Sequence, residues 1–265
     1  MSLMEIGRFL DLLPLWGVFL ATVLFALLAI ELGFRLGKAW QRRTHVEKEG
    51  VIGAMSGATL GLLAFLLAFI IGMAVNRFDN RRGLVVDEAN AIGTTWLRAG
   101  YLDEPVSSES RALLREYVGI RLDAVDPAKL AEARVRSEQI HTQLWSRAEV
   151  VARANIQSPL VALYVESLNE MIDIHTKRAV AVLSSRLPGS LWLGIYSVAF
   201  LTMMLVGLQS SYGERQNWLS LVVLVLVFAV VLTLIVDLDR PLEGLLSVSQ
   251  QAMLDLQAQL RALTP

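Results

Sequence analysis

The sequence contains no cysteine, and this absence excludes disulfide bonds, thiol catalysis and thiolate-bound metals. It also has few charged residues, 18% against roughly 25% in typical soluble domains. The formal net charge of −1 gives no support for nucleic-acid binding. Apolar side chains make up 54% of the 265 residues, and the mean hydropathy is +0.51. This balance predicts a polytopic membrane protein that carries a soluble part.

Enzyme motifs are also missing. The segment GFRLGKA at residues 33–39 has one residue too few between its glycines for a phosphate-binding loop, and it lacks the Ser or Thr that would reach magnesium. Glu138 and His141 have the spacing found in di-iron helical bundles, but such a site needs that pair twice and only one copy exists. We therefore expect no enzymatic activity, no cofactor and no metal site.

Four apolar segments are long enough to cross a hydrocarbon core of roughly 30 Å as helices. They cover about residues 12–34, 56–78, 190–208 and 217–236. The first is too long for the core of a signal peptide, so we predict that it is retained as a membrane helix. The chain then divides into a first membrane pair, a helical domain, a second membrane pair and a C-terminal amphipathic helix, at 1–78, 79–187, 188–241 and 242–265.

The domain between the membrane pairs has helical rather than strand patterning. Apolar residues keep helical spacing past Phe78 without a breaker, so we expect the second membrane helix to continue into water. Because Ser, Asp and Pro begin helices, further helices are predicted over about 107–122, 126–157 and 158–186. A last amphipathic helix is predicted at about 243–262. The expected fold class is all-α.

The second apolar segment, SGATLGLLAFLLAFIIGMAVNRF, carries two files of residues at helical spacing. Phe65 and Phe69 lie one turn apart, with Gly61 and Met73 in the same line. Beside them runs a ridge of small residues that would let helices pack closely in lipid; it comprises Gly57, Gly61, Ala64, Ala68 and Gly72. From these residues alone, a helix buried in an ordinary bundle is the commoner explanation, and a helix that lines a narrow apolar pore is the alternative.

Acidic residues are concentrated on the helices of the predicted domain. Asp87 and Glu88 follow the second span, while Glu166, Glu170 and Asp173 repeat at i, i+4 and i+7. These acids either form ordinary surface ion pairs or line a water-filled vestibule. The arginines considered as partners, or as further vestibule residues, are Arg77, Arg81, Arg82 and Arg98.

The fourth span ends in two acids, Asp237 and Asp239. Charged groups at this depth pair with cations or backbone donors, and the cluster of Arg77, Arg81 and Arg82 is the expected partner.

Four spans place both termini and the helical domain on one side of the membrane. Basic residues near the membrane favour the cytoplasm for that side, and the inner membrane as the location, although the link between the first two spans is also basic.

Three stretches carry a family resemblance: LGLLAFLLAFIIGMAVNRFDNRRGLVVDEANAIGTTWLRA, SLNEMIDIHTKRAVAVLSSRLP and DLDRPLEGLLSVSQ. They resemble the bacterial and plant bestrophin-like membrane proteins over most of the chain from about residue 50. That family is in turn similar to bestrophins, which are pentameric anion channels with four membrane helices and a cytosolic helical region.

The resemblance implies a homopentamer in the lipid bilayer that conducts inorganic anions such as chloride. In bestrophins, bulky apolar residues on the second membrane helix form a pore neck and precede an Arg–aromatic pair. Matching Arg77-Phe78 to that pair places Gly61, Phe65 and Phe69 at the neck, with Met73 in the same line.

The resemblance also marks a motif after the fourth span, formed by Asp237, Asp239, Arg240, Pro241 and Glu243. The acidic run that binds calcium in some bestrophins is missing after this motif. The competing interpretation is a non-conducting membrane scaffold or sensor that binds a partner through its cytosolic helices.

Overall fold

The computed structural model describes residues 13–42, 49–183, 186–213, 218–240 and 244–263. Within these ranges the chain forms eight α-helices and no β-strand. In chain order they are α1 (Leu15–Gln41), α2 (Glu49–Ala99), α3 (Val106–Asp123), α4 (Leu130–Ala154), α5 (Pro159–Leu183), α6 (Gly189–Ser210), α7 (Trp218–Asp239) and α8 (Gln251–Ala262). The predicted all-α fold with four helices able to span a membrane is confirmed, because α1, α2, α6 and α7 are long and apolar enough to do so.

The chain folds into two compact units. The membrane unit comprises Met1–Arg77 and Arg186–Leu246, and the helical unit comprises Phe78–Ser185 and Ser247–Pro265. Helix α2 contributes to both, because it runs without interruption for 51 residues. The predicted continuation of the second apolar segment past Phe78 is therefore present as a single helix.

Two glycines allow α1 and α6 to pack closely in the membrane unit. A Cβ atom on Gly33 would overlap the backbone carbonyl of Met204, and one on Gly207 would overlap the backbone of Ile30. The two helices thus approach to backbone contact, which small residues make possible in lipid. The sequence analysis missed these positions, because no local pattern shows which two glycines face each other.

The helical unit is organised around a core drawn from all of its helices. Its fully buried members include Ile92 of α2, Leu114 of α3, Leu144 of α4, Leu168 of α5 and Met253 of α8. Burial of these side chains holds α8 in the helical unit, although residues 247–265 follow the last membrane helix in sequence.

The last helix begins later than its pattern predicts. It starts at Gln251 rather than near residue 243, and residues 244–250 are not helical. The physical reason lies at the end of α7, where the Asp237 carboxylate accepts hydrogen bonds from the backbone N–H groups of Leu245 (2.8 Å) and Leu246 (3.2 Å). These bonds hold the chain in a turn at the residues where the predicted helix would begin.

Candidate functional site

Helix α2 presents one face to the rest of the membrane unit. The side chains of Leu63, Leu67, Ile70 and Ala74 are buried on it, at the spacing of 3 or 4 residues that places them on one side of an α-helix. This face anchors α2 in its own chain and leaves the opposite face for other contacts.

The opposite face, called the open face below, is not covered by the described residues of its own chain. Its two phenylalanines have large exposed fractions, 68% for Phe65 and 60% for Phe69. A Cβ atom built on Gly57, Gly61 or Gly72 would meet nothing within 4 Å. Ala64 and Ala68 are exposed as well. Within the described part of the chain, the predicted small-residue ridge therefore makes no packing contact at these glycines, and the two phenylalanines are exposed.

Three of the four predicted neck residues share this open face. Gly61, Phe65 and Phe69 are exposed, whereas Met73 is half-buried at its edge. A helix turns about 100° per residue, so Gly72 continues the line of the two phenylalanines more closely than Met73 does.

The open face changes from apolar to polar along α2. After Gly72 come Asn76 and Asn80, then Asp87 and Asn90, all of them exposed. Their spacing of 3, 4 or 7 residues keeps them on the same side of the helix. The sequence analysis did not single out Asn76 and Asn80, although extending the phenylalanine file by helical periodicity would have found them.

Four of the predicted vestibule acids line one open groove in the helical unit. The groove, of about 690 Å³, lies between the second part of α2 and α5, and Asp87, Glu166, Glu170, Asp173 and Lys177 are among its lining residues. Its carboxylates outnumber its one lysine, so it favours positive charge. Glu166 also forms an ion pair with Arg98 at 3.8 Å. This pair agrees with the other interpretation of these acids, in which they form ordinary surface ion pairs.

Glu88 lies elsewhere, and its predicted place in the vestibule or beside Arg81, Arg82 and Arg98 is wrong. Its side chain is 0% exposed and forms ion pairs with Arg121 of α3 (2.9 Å) and with Arg178 of α5. The sequence held a signal for burial, because Glu88 is one turn from Val85 and Ile92 on the apolar face of α2. Its partners, 33 and 90 residues away, could not be identified from local pattern.

A tyrosine and two histidines complete this buried cluster. The Tyr117 hydroxyl donates to Glu88 Oε1 (2.7 Å) and lies 2.9 Å from His175 Nδ1. Because the single hydroxyl proton points at the carboxylate, the Tyr117 oxygen accepts from His175 Nδ1–H. Burial and the Glu88 charge raise the pKa of Tyr117 well above its usual value.

The second histidine is held neutral. Burial, followed by the neighbouring His175, lowers the pKa of His141 to about 4, and the two rings meet edge to face with centres 4.7 Å apart. His141 Nε2 is buried without a hydrogen-bond partner in the described part of the chain. The cluster thus places two guanidinium groups around one carboxylate, with a neutral His141 beside them.

The three arginines of the predicted cluster differ in burial. Arg81 is buried, with its guanidinium carbon 6.0 Å from the centre of the Phe78 ring. Arg77 is half-buried and Arg82 is exposed.

In the motif after the fourth span, charged side chains form hydrogen bonds with backbone groups. Besides the two Asp237 bonds to Leu245 and Leu246, Asp239 accepts from the backbone N–H of Leu187 at 2.9 Å. Arg240 donates to the backbone carbonyl of Leu13 at 2.6 Å. Asp237 is thus held by backbone donors, the alternative to the arginine partners expected from the sequence. Pro241 and Glu243 lie outside the described residues.

Gly244 packs closely against Asp237, because a Cβ atom on this glycine would overlap Asp237 Oδ1. In the described ranges, no group of three or more His, Asp or Glu side chains is arranged to hold an ion.

Comparison with known proteins finds a family model and a solved structure that match this chain. The model of a family described as the bestrophin-like domain matches residues 16–253. A crystal structure described as that of a membrane protein superposes with a TM-score of 0.66 at 15% sequence identity, covering 94% of this chain and 97% of that one. At that identity the likeness shows a shared fold alone. A search of the curated proteins finds no match.

Proposed function

The chain belongs to the bestrophin-like family, and from that premise we propose that it forms an oligomeric ion channel in the lipid bilayer. Copies of α2 surround a common axis and turn their open faces towards it. The assembly is a homopentamer of the inner membrane, with the helical unit and both termini in the cytoplasm.

One observation carries this proposal: the open face of α2 is uncovered in the single chain. Phe65 and Phe69 are large exposed apolar side chains near its central line, Leu62 is a third, and small residues lie beside them. A second copy can therefore approach closely next to the rings, as small residues allow in lipid. The same face offers apolar rings for a constriction without any change in the fold of one copy.

The proposed neck limits the passage of ions by its narrow width and its lack of polar groups. An ion must shed part of its water to pass the Phe65 and Phe69 rings, and a narrow apolar stretch tends to lose its own water as well. Gly61 adds no side chain, so one level of the neck stays open. The rings carry no charge and select neither anions nor cations.

Ion selectivity must then arise outside the neck. The similarity of the family to bestrophins favours anions such as chloride. The groove that contains Asp87, Glu166, Glu170 and Asp173 favours cations, because exposed carboxylates raise the local cation concentration. The reversal potential under a salt gradient distinguishes these two possibilities.

Flux measurements in liposomes test the channel. The double variant Phe65→Ala and Phe69→Ala widens the neck, so we expect ion flux about tenfold or more above wild type, because each truncated ring removes part of the dehydration barrier. Leu193→Ala removes an exposed apolar side chain from α6 and serves as the control with wild-type flux. The absence of flux from both wild type and the double variant contradicts the proposal.

A second candidate function is the non-conducting scaffold. The turn between α4 and α5 favours it, because Ile156 there is 85% exposed and lies near the exposed Val150 and Leu160. Exposed apolar side chains at this turn offer contact area to a protein partner of the helical unit. The number of copies in the assembly separates this candidate from the channel.

A further inference from the structure

Asn76 is the first polar residue that follows the phenylalanines on the open face. It lies seven residues after Phe69, which is about 10 Å along the axis and about 20° around it. Its side chain is exposed and has no hydrogen-bond partner among the described residues. A carboxamide is thus held just beyond the apolar rings with both its donor and its acceptor groups free.

Resting on the proposed function, we propose that Asn76 is a specificity-determining residue of the pore. Its carboxamides, one from each copy, form the ring where a passing ion regains polar ligands after the neck. The carbonyl oxygen can replace water around a cation, and the NH₂ group can replace water around an anion. Asn80 lies one turn further on and provides a second such ring nearer the edge of the open face.

The neighbouring charges lie either off the open face or further along α2 than Asn76. Arg77 is half-buried and lies about 100° further around the helix than Asn76. Arg81 is buried on the face opposite to the phenylalanines. Asp79 is exposed and lies about 4.5 Å beyond Asn76 and about 60° around the helix, and Asp87 shares the open face about 16 Å beyond Asn76. An ion that leaves the rings of Phe69 therefore meets the neutral amide of Asn76 before it meets either carboxylate.

Charge substitutions at Asn76 test the inference. A ring of added charges acts on the ion at close range. We therefore expect Asn76→Asp to raise the cation-to-anion permeability ratio about fivefold or more, and Asn76→Lys to lower it by a similar factor. The control is Arg82→Gln, which changes the charge by one unit at an exposed position about 120° away, and its ratio should stay within about twofold of wild type.

The absence of native cysteine permits a second test that requires no conduction. Asn76→Cys should react with a small water-soluble thiol reagent in the assembled protein and form disulfides between copies. Ala74→Cys, which is fully buried two residues away, should do neither.

The outcomes separate the two proposals. If the Phe65 and Phe69 variants alter flux but both charged Asn76 variants keep the wild-type permeability ratio, the role of Asn76 is wrong and the channel stands. If wild type and the double variant give no flux, the proposed function itself fails and the role of Asn76 fails with it. A protected Asn76→Cys thiol that forms no disulfide also overturns the inference.

Discussion

Glu88 is the residue on which the buried charges of the helical unit depend. Among the described residues, its carboxylate is the one paired with Arg121 and Arg178, and removing one partner from a buried ion pair leaves an uncompensated charge. We therefore expect Glu88→Gln to lower the stability of the helical unit by about 3–5 kcal/mol, although the amide keeps the shape of the side chain. A fall in the midpoint of thermal unfolding, followed by circular dichroism in detergent, measures the effect.

The adjacent residue provides the matched control for that experiment. Asp87→Asn makes the same chemical change one position away, on an exposed side chain that lines the groove. Its midpoint should stay close to that of wild type, because exposed charges contribute little to stability. Equal midpoints for the two variants would show that Glu88 is not a buried counter-ion.

Among the helices, α6 depends on a glycine for its position against α1. Gly207→Ala places a methyl group on the backbone of Ile30, so the helices must separate, at a cost of about 2 kcal/mol or more. Gly194→Ala is the control in the same helix, because its Cβ atom meets nothing within 4 Å. We expect reduced thermal stability for Gly207→Ala and unchanged or slightly higher stability for Gly194→Ala, since alanine favours helices. Equal loss in both variants would instead indicate a general cost of adding a side chain to α6.

The helices themselves could be predicted from the sequence because lipid imposes a simple rule. A spanning segment needs about 20 apolar residues and must satisfy its backbone internally, so α1, α2, α6 and α7 are visible as apolar runs. The open face could be predicted in part, because Phe65 and Phe69 repeat at one turn. No local pattern shows which face of α2 is covered by the rest of its own chain. The small-residue ridge therefore suggested packing inside the bundle, whereas the described contacts leave it uncovered.

Contacts between residues far apart in sequence are the second reason that parts of the structure could not be predicted. Glu88 could have been assigned to the buried face by its spacing from Val85 and Ile92, but Arg121 and Arg178 come from other helices. The late start of α8 has a similar cause, because the Asp237 carboxylate binds the backbone of Leu245 and Leu246. Both features result from tertiary contacts that override local helical preference.

At the scale of the whole molecule, the proposed channel requires more than one copy of the chain. An open face with two exposed phenylalanines can enclose a conduit only if copies close into a ring, and closed rings have cyclic symmetry. One or two copies cannot surround an axis with a single helix from each. The scaffold candidate needs no ring, because the exposed turn at Ile156 is complete in one copy.

The mass of the assembly therefore decides between the two candidates. Native mass spectrometry of protein released from detergent should give five times the 29.3 kDa mass of one chain. The same measurement on Gly57→Trp, which places a bulky side chain on the open face where nothing of its own chain lies within 4 Å, should show a disrupted ring. Gly194→Trp, equally uncovered on α6, is the control with the mass of wild type. A ring of another size would keep the channel and contradict the pentamer, whereas a wild-type monomer or dimer would favour the scaffold, because neither can place the Phe65 and Phe69 rings around an axis.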